Sequence, residues 1–158
     1  MKVLKASLVA VAAVVLLAGC QSTETQKTKK LAEFKQTEEQ KVKKIAFGYG
    51  DDIANGLKKG DYKLFVKNLT PEMQKKITES VFKKMKARMD KQLGDYQSKV
   101  FLTCLNNPLF RTYVSKATFK NTVTLKNKKT KKFDNELLFR IVIGKIDNKY
   151  VVLGFGFQ

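Results

Sequence analysis

Two hydrophobic periods divide this chain of 158 residues. Between Leu31 and Leu57, apolar residues recur at steps of three and four among Lys and Glu, which predicts a helix with one apolar stripe. The stripe consists of Leu31, Phe34, Val42, Ile45, Tyr49, Ile53 and Leu57. Gly48 and Gly50 interrupt it at a cost of about 1 kcal/mol each, so we expect a kink or close packing near Tyr49.

Capping signals then predict two more helices. Asp61 can cap a short segment that closes before Thr70. In "TPEM", Thr70 is the expected N-cap, Pro71 the first helical residue, and Glu72 lies at the positive end of the helix dipole. Gly94 ends this helix. The four-residue spacing of the helix's apolar residues indicates that they belong to the core rather than to a binding groove. The apolar positions are Met73, Ile77, Val81, Met85 and Met89.

The period changes to two after Tyr96. Residues 99–105 and 109–119 are rich in β-branched and aromatic side chains, and the Asn-Asn-Pro sequence at 106–108 separates them. The alternation continues to Leu125, which predicts one long, half-buried strand interrupted by polar residues such as Arg111. Its apolar odd-numbered positions are Leu109, Tyr113, Ala117, Phe119, Val123 and Leu125.

Two strands joined by Asp147-Asn148, a short hairpin signal, are predicted at the end of the chain. Residues 137–143 are apolar on both faces except at Arg140, as expected of a central strand. Gly154 and Gly156 predict a bulge in the last strand. Simple alternation puts Val151, Leu153, Phe155 and Phe157 on one face. The order predicts an α+β fold, with N-terminal helices packed on a curved antiparallel sheet of about four strands.

The N-terminal residues carry a different pattern. Lys2 and Lys5 precede an apolar run at 6–18 that is too short to cross a bilayer core of about 30 Å and is typical of an export signal. The run ends in Leu17-Ala18-Gly19-Cys20, which resembles the lipobox of bacterial lipoproteins. The resemblance implies that residues 1–19 are a signal peptide and that Cys20 carries a diacylglycerol thioether. An ordinary secretory signal cleaved near a cysteine is the alternative.

Residues 20–30 are then the lipidated cysteine and a flexible tether, because 21–30 contain no apolar residue. Residues 31–158 are expected to form a single domain. Enteric lipoproteins that stay at the inner membrane have Asp directly after the cysteine, and this chain has Gln21 there. The resemblance therefore implies a location at the periplasmic face of the outer membrane in a Gram-negative host. Acylation of Cys20 excludes a disulfide with Cys104, which is expected to be a small buried hydrophobic residue.

The segments "GDYKLFVKNLTPEMQKKI" (60–77) and "DNKYVVLGFGF" (147–157) resemble nuclear transport factor 2-like, or cystatin-like, α+β domains of unassigned function. The resemblance implies a cone-like sheet that often encloses a pocket. Some relatives are ketosteroid isomerases or scytalone dehydratases, which use Asp, Tyr or His in that pocket. This chain has no His, so a pairing of an acid with Tyr49 or Tyr113 is the arrangement left open.

Charge points to anionic partners. The chain has 32 Lys and Arg against 14 Asp and Glu, a net charge of +18. The densest basic run is expected at a hairpin tip, where lysines would contact lipid headgroups or anionic glycans by point-charge attraction. A solvated run that keeps a sheet edge from aggregating is the alternative. The run contains Lys126, Lys128, Lys129, Lys131 and Lys132. Residues 75–91 carry seven further cations against Glu79 and Asp90.

These observations predict an exported, lipid-anchored protein of the bacterial envelope, with a binding or structural role and no cofactor. The expected partners are the membrane, contacted through Cys20, and an anionic envelope component or another envelope protein. Export and the lack of aromatics among the lysines argue against nucleic acid. The alternative is a small isomerase- or dehydratase-type enzyme that uses a pocket in the cone. The oligomeric state is left open.

Overall fold

The computed structural model describes residues 22–125 and 129–158. Within these ranges, helices come first and strands follow, and the strands form one open antiparallel sheet in the order β1-β2-β3-β4. The predicted α+β fold is therefore confirmed. The elements are α1 (Ser22–Lys59), α2 (Tyr62–Val66), α3 (Pro71–Lys76), α4 (Glu79–Leu93), β1 (Asp95–Asn106), β2 (Phe110–Thr124), β3 (Thr130–Ile146) and β4 (Lys149–Phe157).

The chain divides into two compact units, Met1–Glu39 and Gln40–Gln158. The predicted signal peptide and Cys20 lie outside the described residues. Residues 22–30, predicted as a flexible tether, are helical in α1. Gln, Lys and Glu are good helix formers, so a lack of apolar residues does not prevent a helix here.

The apolar stripe predicted for the first helix is buried only in its second part. Leu31 and Phe34 are 55% and 69% exposed, and burial begins at Val42. The second unit accordingly begins at Gln40, later than the predicted domain start at Leu31. Periodicity reports which side chains share a helix face, but it does not report whether anything covers that face.

The second half of α1 packs on one face of the sheet, here called the inner face. The ring centroids of Phe47 and Phe101 are 5.3 Å apart, and Phe47 also meets Tyr113 edge-on at 6.3 Å. A Cβ atom at Gly50 would lie 3.3 Å from Cε1 of Phe139. The close packing predicted near this glycine is therefore confirmed.

A second close contact joins α1 to α2. Gly60, with φ of +70°, follows the end of α1, and Asp61 caps α2 by accepting a hydrogen bond from the Leu64 amide (3.0 Å). One helical turn earlier, a Cβ atom at Gly56 would lie 2.7 Å from the backbone nitrogen of Phe65. Only a residue without a side chain allows this approach.

The single helix predicted after Thr70 is in fact two helices. Thr70 caps α3 as predicted, but α3 ends at Lys76. Thr78 then accepts a hydrogen bond from the Val81 amide (3.4 Å) and caps α4. Because α4 begins at its own cap, its buried face is not the one that a single continuous helix would have. Val81 is therefore 45% exposed while Phe82 is buried.

The predicted break between strands at 106–108, the Asp147-Asn148 hairpin and the central strand are confirmed. The Asn107 amide donates to the Phe110 carbonyl oxygen (3.0 Å), which closes the connection between β1 and β2. Asp147 and Asn148 have φ of 48° and 60°, the positive values of a type I′ turn between β3 and β4. The predicted central strand, β3, pairs with β2 and with β4.

A bulge in β4 changes which side chains face inward. Val142 pairs with Gly154 and Ile143 with Val152, so Leu153 is an inserted residue. The predicted bulge is confirmed, but the face predicted by simple alternation is wrong. Val152 is fully buried and Leu153 is 38% exposed, because the inserted residue reverses the alternation on its N-terminal side.

Burial of β2 is confined to its middle. Tyr113, Ala117 and Phe119 are buried as predicted. Three other predicted inward positions are wrong, since one lies near the end of β2 and the other two lie just outside it, beyond its buried stretch. They are Leu109, Val123 and Leu125, with exposures of 83%, 42% and 44%.

Gly56→Ala should destabilise the second unit, whereas Gly48→Ala in the same helix should stabilise it. Each replacement gains about 1 kcal/mol of helix propensity. At Gly56 the methyl group collides with the backbone of Phe65, and overpacking costs about 1–3 kcal/mol. No atom lies within 4 Å of a Cβ at Gly48. Urea unfolding followed by circular dichroism measures both midpoints, and a Gly56→Ala midpoint raised as much as that of Gly48→Ala would contradict the close α1–α2 contact.

Candidate functional site

The predicted basic run forms the connection between β2 and β3. The Leu125 amide donates to the Lys129 carbonyl oxygen (2.8 Å), and the antiparallel pairing of β2 with β3 begins at the adjacent residues. Lys131 and Lys132 are exposed at the start of β3. The hairpin position is therefore confirmed for the described lysines. Two lysines of the run, Lys126 and Lys128, lie outside the described residues.

Helix α4 adds a second group of cations. Lys83 pairs with Glu79 (2.8 Å) and Lys86 with Asp90 (2.6 Å), which are i,i+4 pairs within the helix. Three further cations at steps of four and three share the solvent face, opposite the buried Phe82. We call Lys84, Arg88 and Lys91 the α4 basic stripe.

The fold brings the C-terminal end of the α4 basic stripe to the same end of the sheet as the described lysines of the basic run. The side-chain amide of Asn135 donates to the Leu93 carbonyl oxygen (2.9 Å), and that of Asn121 to the Gln92 carbonyl oxygen (3.4 Å). The last turn of α4 is therefore held against β2 and β3. From Asn121, which pairs with Phe133, the next two pairs include Lys132 and Lys131, within about 7 Å along the strand.

We call this region, with the α4 basic stripe and Lys129, Lys131 and Lys132, the basic end. Asp134 is an acidic residue within it, at the next position after Phe133. Lysine side chains attract anions without fixed geometry. The arrangement is suited to holding an extended anionic surface rather than to orienting one small substrate.

The interior between the helices and the inner face is filled by aromatic side chains. The ring centroids of Phe65 and Phe82 are 4.9 Å apart, and those of Phe139 and Phe157 are 4.7 Å apart. A crevice of about 20 Å³ between Leu57, Met89 and neighbouring side chains has room for about one water molecule. Pockets for small organic ligands usually measure about 300–1,000 Å³.

The two tyrosines left open as partners of an acid have other neighbours. The Tyr49 hydroxyl donates to the Tyr150 carbonyl oxygen (3.2 Å). Tyr113 is 1% exposed, and burial raises its pKa to about 12 against a smaller lowering effect of Arg111. In the described part of the chain, neither hydroxyl hydrogen-bonds to a carboxyl group. Cys104, opposite Tyr113 on β1, packs against the core and is half-buried.

The acidic pair Asp51-Asp52 holds α1 in place. Asp51 Oδ1 lies 2.7 Å from Lys99 Nζ, and the Lys99 side chain is only 11% exposed. Asp52 accepts from the Asn68 side-chain amide (2.7 Å) and pairs with Lys67 (3.3 Å). These contacts tie α1 to β1 and to the segment after α2, so the pair has a structural role.

One buried polar pair escaped the sequence reasoning. Arg111 Nη1 and the Tyr113 hydroxyl are both buried, and neither makes a well-aligned hydrogen bond among the described residues, although Arg111 and Cys104 lie close enough to affect the pKa of Tyr113. The sequence did contain a signal for this pair. Arg111 occupies an odd-numbered position, and the odd-numbered positions of this strand were predicted to face inward. Such groups cost free energy when they are left without partners.

Tyr113→Phe should leave the free energy of unfolding near pH 7 unchanged or raise it by about 0.5 kcal/mol, because it removes a buried hydroxyl that makes no well-aligned hydrogen bond. Tyr49→Phe is the matched control and should lose about 1 kcal/mol with the hydrogen bond to Tyr150. Urea unfolding measures both. A larger loss for Tyr113→Phe than for Tyr49→Phe would show that the Tyr113 hydroxyl is bonded.

The same variant should change the response to alkali. The pKa of Tyr113 is about 12 in the folded chain against an ordinary 10.0, so its contribution to stability is full below pH 10 and is lost as the pH rises towards 12. Tyr113→Phe should therefore lose less stability over that interval than the parent. Burial also raises the pKa of Tyr96 to about 12, which leaves part of the alkaline loss in both proteins.

No helix in the described ranges is both long enough and apolar enough to cross a membrane. The chain matches no model of a known protein family, and no curated protein matches it. Its function is therefore inferred from the contacts and charges of its own residues.

Proposed function

We propose that this chain is an exported, lipid-anchored protein of the bacterial envelope whose basic end binds anionic, phosphate-bearing envelope material without catalysis. The observation that carries the binding part is the meeting of the α4 basic stripe with the basic run at one end of the sheet. The anchor is inferred from Leu17-Ala18-Gly19-Cys20 after a short apolar run.

The chemistry of the anchor supports membrane attachment. A thiolate is the group that forms a thioether with diacylglycerol, and small residues before Cys20 give a peptidase access to the bond. Each buried CH₂ contributes about 0.8 kcal/mol, so two or three acyl chains hold a protein firmly where one does not. Attachment by lipid also leaves the α+β domain outside the bilayer core.

The packed interior supports a surface function. Aromatic rings fill the inner face, so the exposed groups are the ones that can meet a partner. At the basic end these groups are mostly lysines, and each lysine close to an anionic surface contributes about 1 kcal/mol. Helix α4 presents its stripe in fixed positions because Phe82 anchors the opposite side of the helix in the core.

Intact-mass spectrometry of protein isolated from its host membranes should show a chain that begins at Cys20 and carries diacylglycerol with or without an N-acyl group. Cys20→Ala should retain the signal peptide, because the modifying enzyme needs the thiol. Unmodified polypeptide that begins at Met1, or an unacylated mature chain, would contradict the anchor.

Lys131→Glu/Lys132→Glu should weaken binding to inorganic polyphosphate about 30-fold, since two lysines near the anion contribute about 2 kcal/mol. Lys41→Glu/Lys44→Glu changes exposed lysines of α1 and lowers the net charge equally, so it is the matched control. We expect it to weaken binding less than about threefold. Fluorescence anisotropy of labelled polyphosphate measures both.

Salt tests the same contact. Binding should fall as salt rises from about 0.05 to 0.5 M, because the Debye length shortens. Equal losses in the two double variants would mean that net charge alone drives binding. That result would contradict a binding surface at the basic end.

A further inference from the structure

The face of the sheet opposite α1, here called the outer face, is apolar at the end far from the basic end. Leu105 pairs with Thr112, and Phe110 pairs with Gly144. A Cβ atom at Gly144 would lie 2.5 Å from Leu153 Cδ1, so the Leu153 side chain lies across this glycine. We define the outer patch as Leu105, Phe110, Val114, Val142 and Leu153 of the outer face, together with Leu109 in the adjoining turn between β1 and β2.

The outer patch is well exposed. Leu105 is 60% exposed and Leu109, in the turn between β1 and β2, is 83% exposed. Phe110 and Leu153 on the neighbouring strands are 37% and 38% exposed. Contiguous apolar surface of this kind marks an interaction site more often than isolated apolar residues do.

The other half of the outer face carries charged side chains among its apolar ones. Lys116 forms an ion pair with Glu136 (2.7 Å) across β2 and β3. The sheet partners of Lys116 are Val100 and Leu138, which are exposed. The end of the outer face far from the basic end has fewer charges and more aliphatic residues.

Two cations border the outer patch. Arg140 pairs with Val114 in the sheet and is exposed, and Lys149 is exposed beside the β3–β4 turn. Asp147 in the same turn is the nearby acid. This border of the outer patch is therefore net positive.

We infer that the outer patch docks onto an anionic lipid bilayer, with Leu109 and Phe110 entering the headgroup region and Arg140 and Lys149 meeting lipid phosphates. The inference rests on the proposed function, which places the protein beside a membrane. It adds a second membrane contact, made by the folded domain. Apolar burial combined with cation attraction is how peripheral elements bind such surfaces.

Charge and shape favour a bilayer over a second copy of the chain. A symmetric dimer through the outer patch would bring its cationic border against the same cations of the partner. An anionic bilayer offers the opposite charge. A fluid surface also accepts a side chain as exposed as Leu109 without a matching pocket.

Docking at the outer patch would turn the basic end away from the membrane. Strand β3 runs the length of the sheet with 17 residues, which corresponds to about 50 Å of extended chain. The two surfaces lie at opposite ends of the strands, so they can be occupied at the same time. The bilayer would take one end and anionic envelope material the other.

A single tryptophan tests the contact, because the chain contains no Trp. Leu109→Trp in the full chain should show blue-shifted emission on vesicles containing phosphatidylglycerol, and lipids brominated on their acyl chains should quench it. Gly48→Trp, at an exposed position of α1 that belongs neither to the outer patch nor to the basic end, is the control and should show neither change. Both variants carry the same N-terminus, so the anchor contributes equally.

A charge in the outer patch should have the opposite effect. In protein purified without acylation, Leu109→Asp should lower vesicle retention at least about tenfold, while Gly48→Asp should not. Retention of the unacylated parent should also persist at a salt concentration that abolishes polyphosphate binding, because apolar insertion is not screened.

Two results would overturn the inference. Vesicle-bound Leu109→Trp that brominated lipid does not quench would show that the outer patch stays in water. A blue shift that depends on protein concentration without vesicles, together with a doubled sedimentation mass, would show that a second copy covers it. Neither result bears on the lipid at Cys20 or on polyphosphate binding, which separate measurements decide.

Discussion

The burial of the second half of α1 against the inner face of the sheet is the interaction on which the rest of this structure depends. At Phe47, Gly50 and Ile53 the helix contacts aromatic and aliphatic side chains of three strands, β1, β2 and β3. Each large apolar side chain buried there contributes about 1.5–3 kcal/mol. The Asp51–Lys99 pair adds a polar contact at the rim. In the described part of the chain, this packing places aromatic rings between α1 and the inner face.

The outer patch and the basic end lie at opposite ends of the sheet. Antiparallel pairing places the β1–β2 and β3–β4 turns at one end and the β2–β3 connection at the other. The first end carries the outer patch and the second carries lysines. A protein built in this way can hold an apolar surface and an anionic surface at a fixed separation, which agrees with the proposed attachment to a membrane and the proposed binding of envelope material.

Local signals predicted much of the fold because their causes are local. Asp61 and Thr70 cap helices through hydrogen bonds that span three residues, and Asp147-Asn148 tolerates the positive φ of its turn. The cap at Thr78 was missed because the four-residue apolar spacing continues across it. The bulge at Leu153 was expected near its place, but pairing with β3 decides which residue is inserted.

The sequence by itself determined the α+β class, the hairpins and the basic run, because these follow from period, turn chemistry and composition. It also carries the whole case for lipid at Cys20. Only the tertiary structure decided that the α4 basic stripe meets the basic run, that Leu31 and Phe34 stay exposed, and that the outer patch is uncovered. Those properties depend on which surfaces cover one another, and the distances that decide this join residues far apart along the chain.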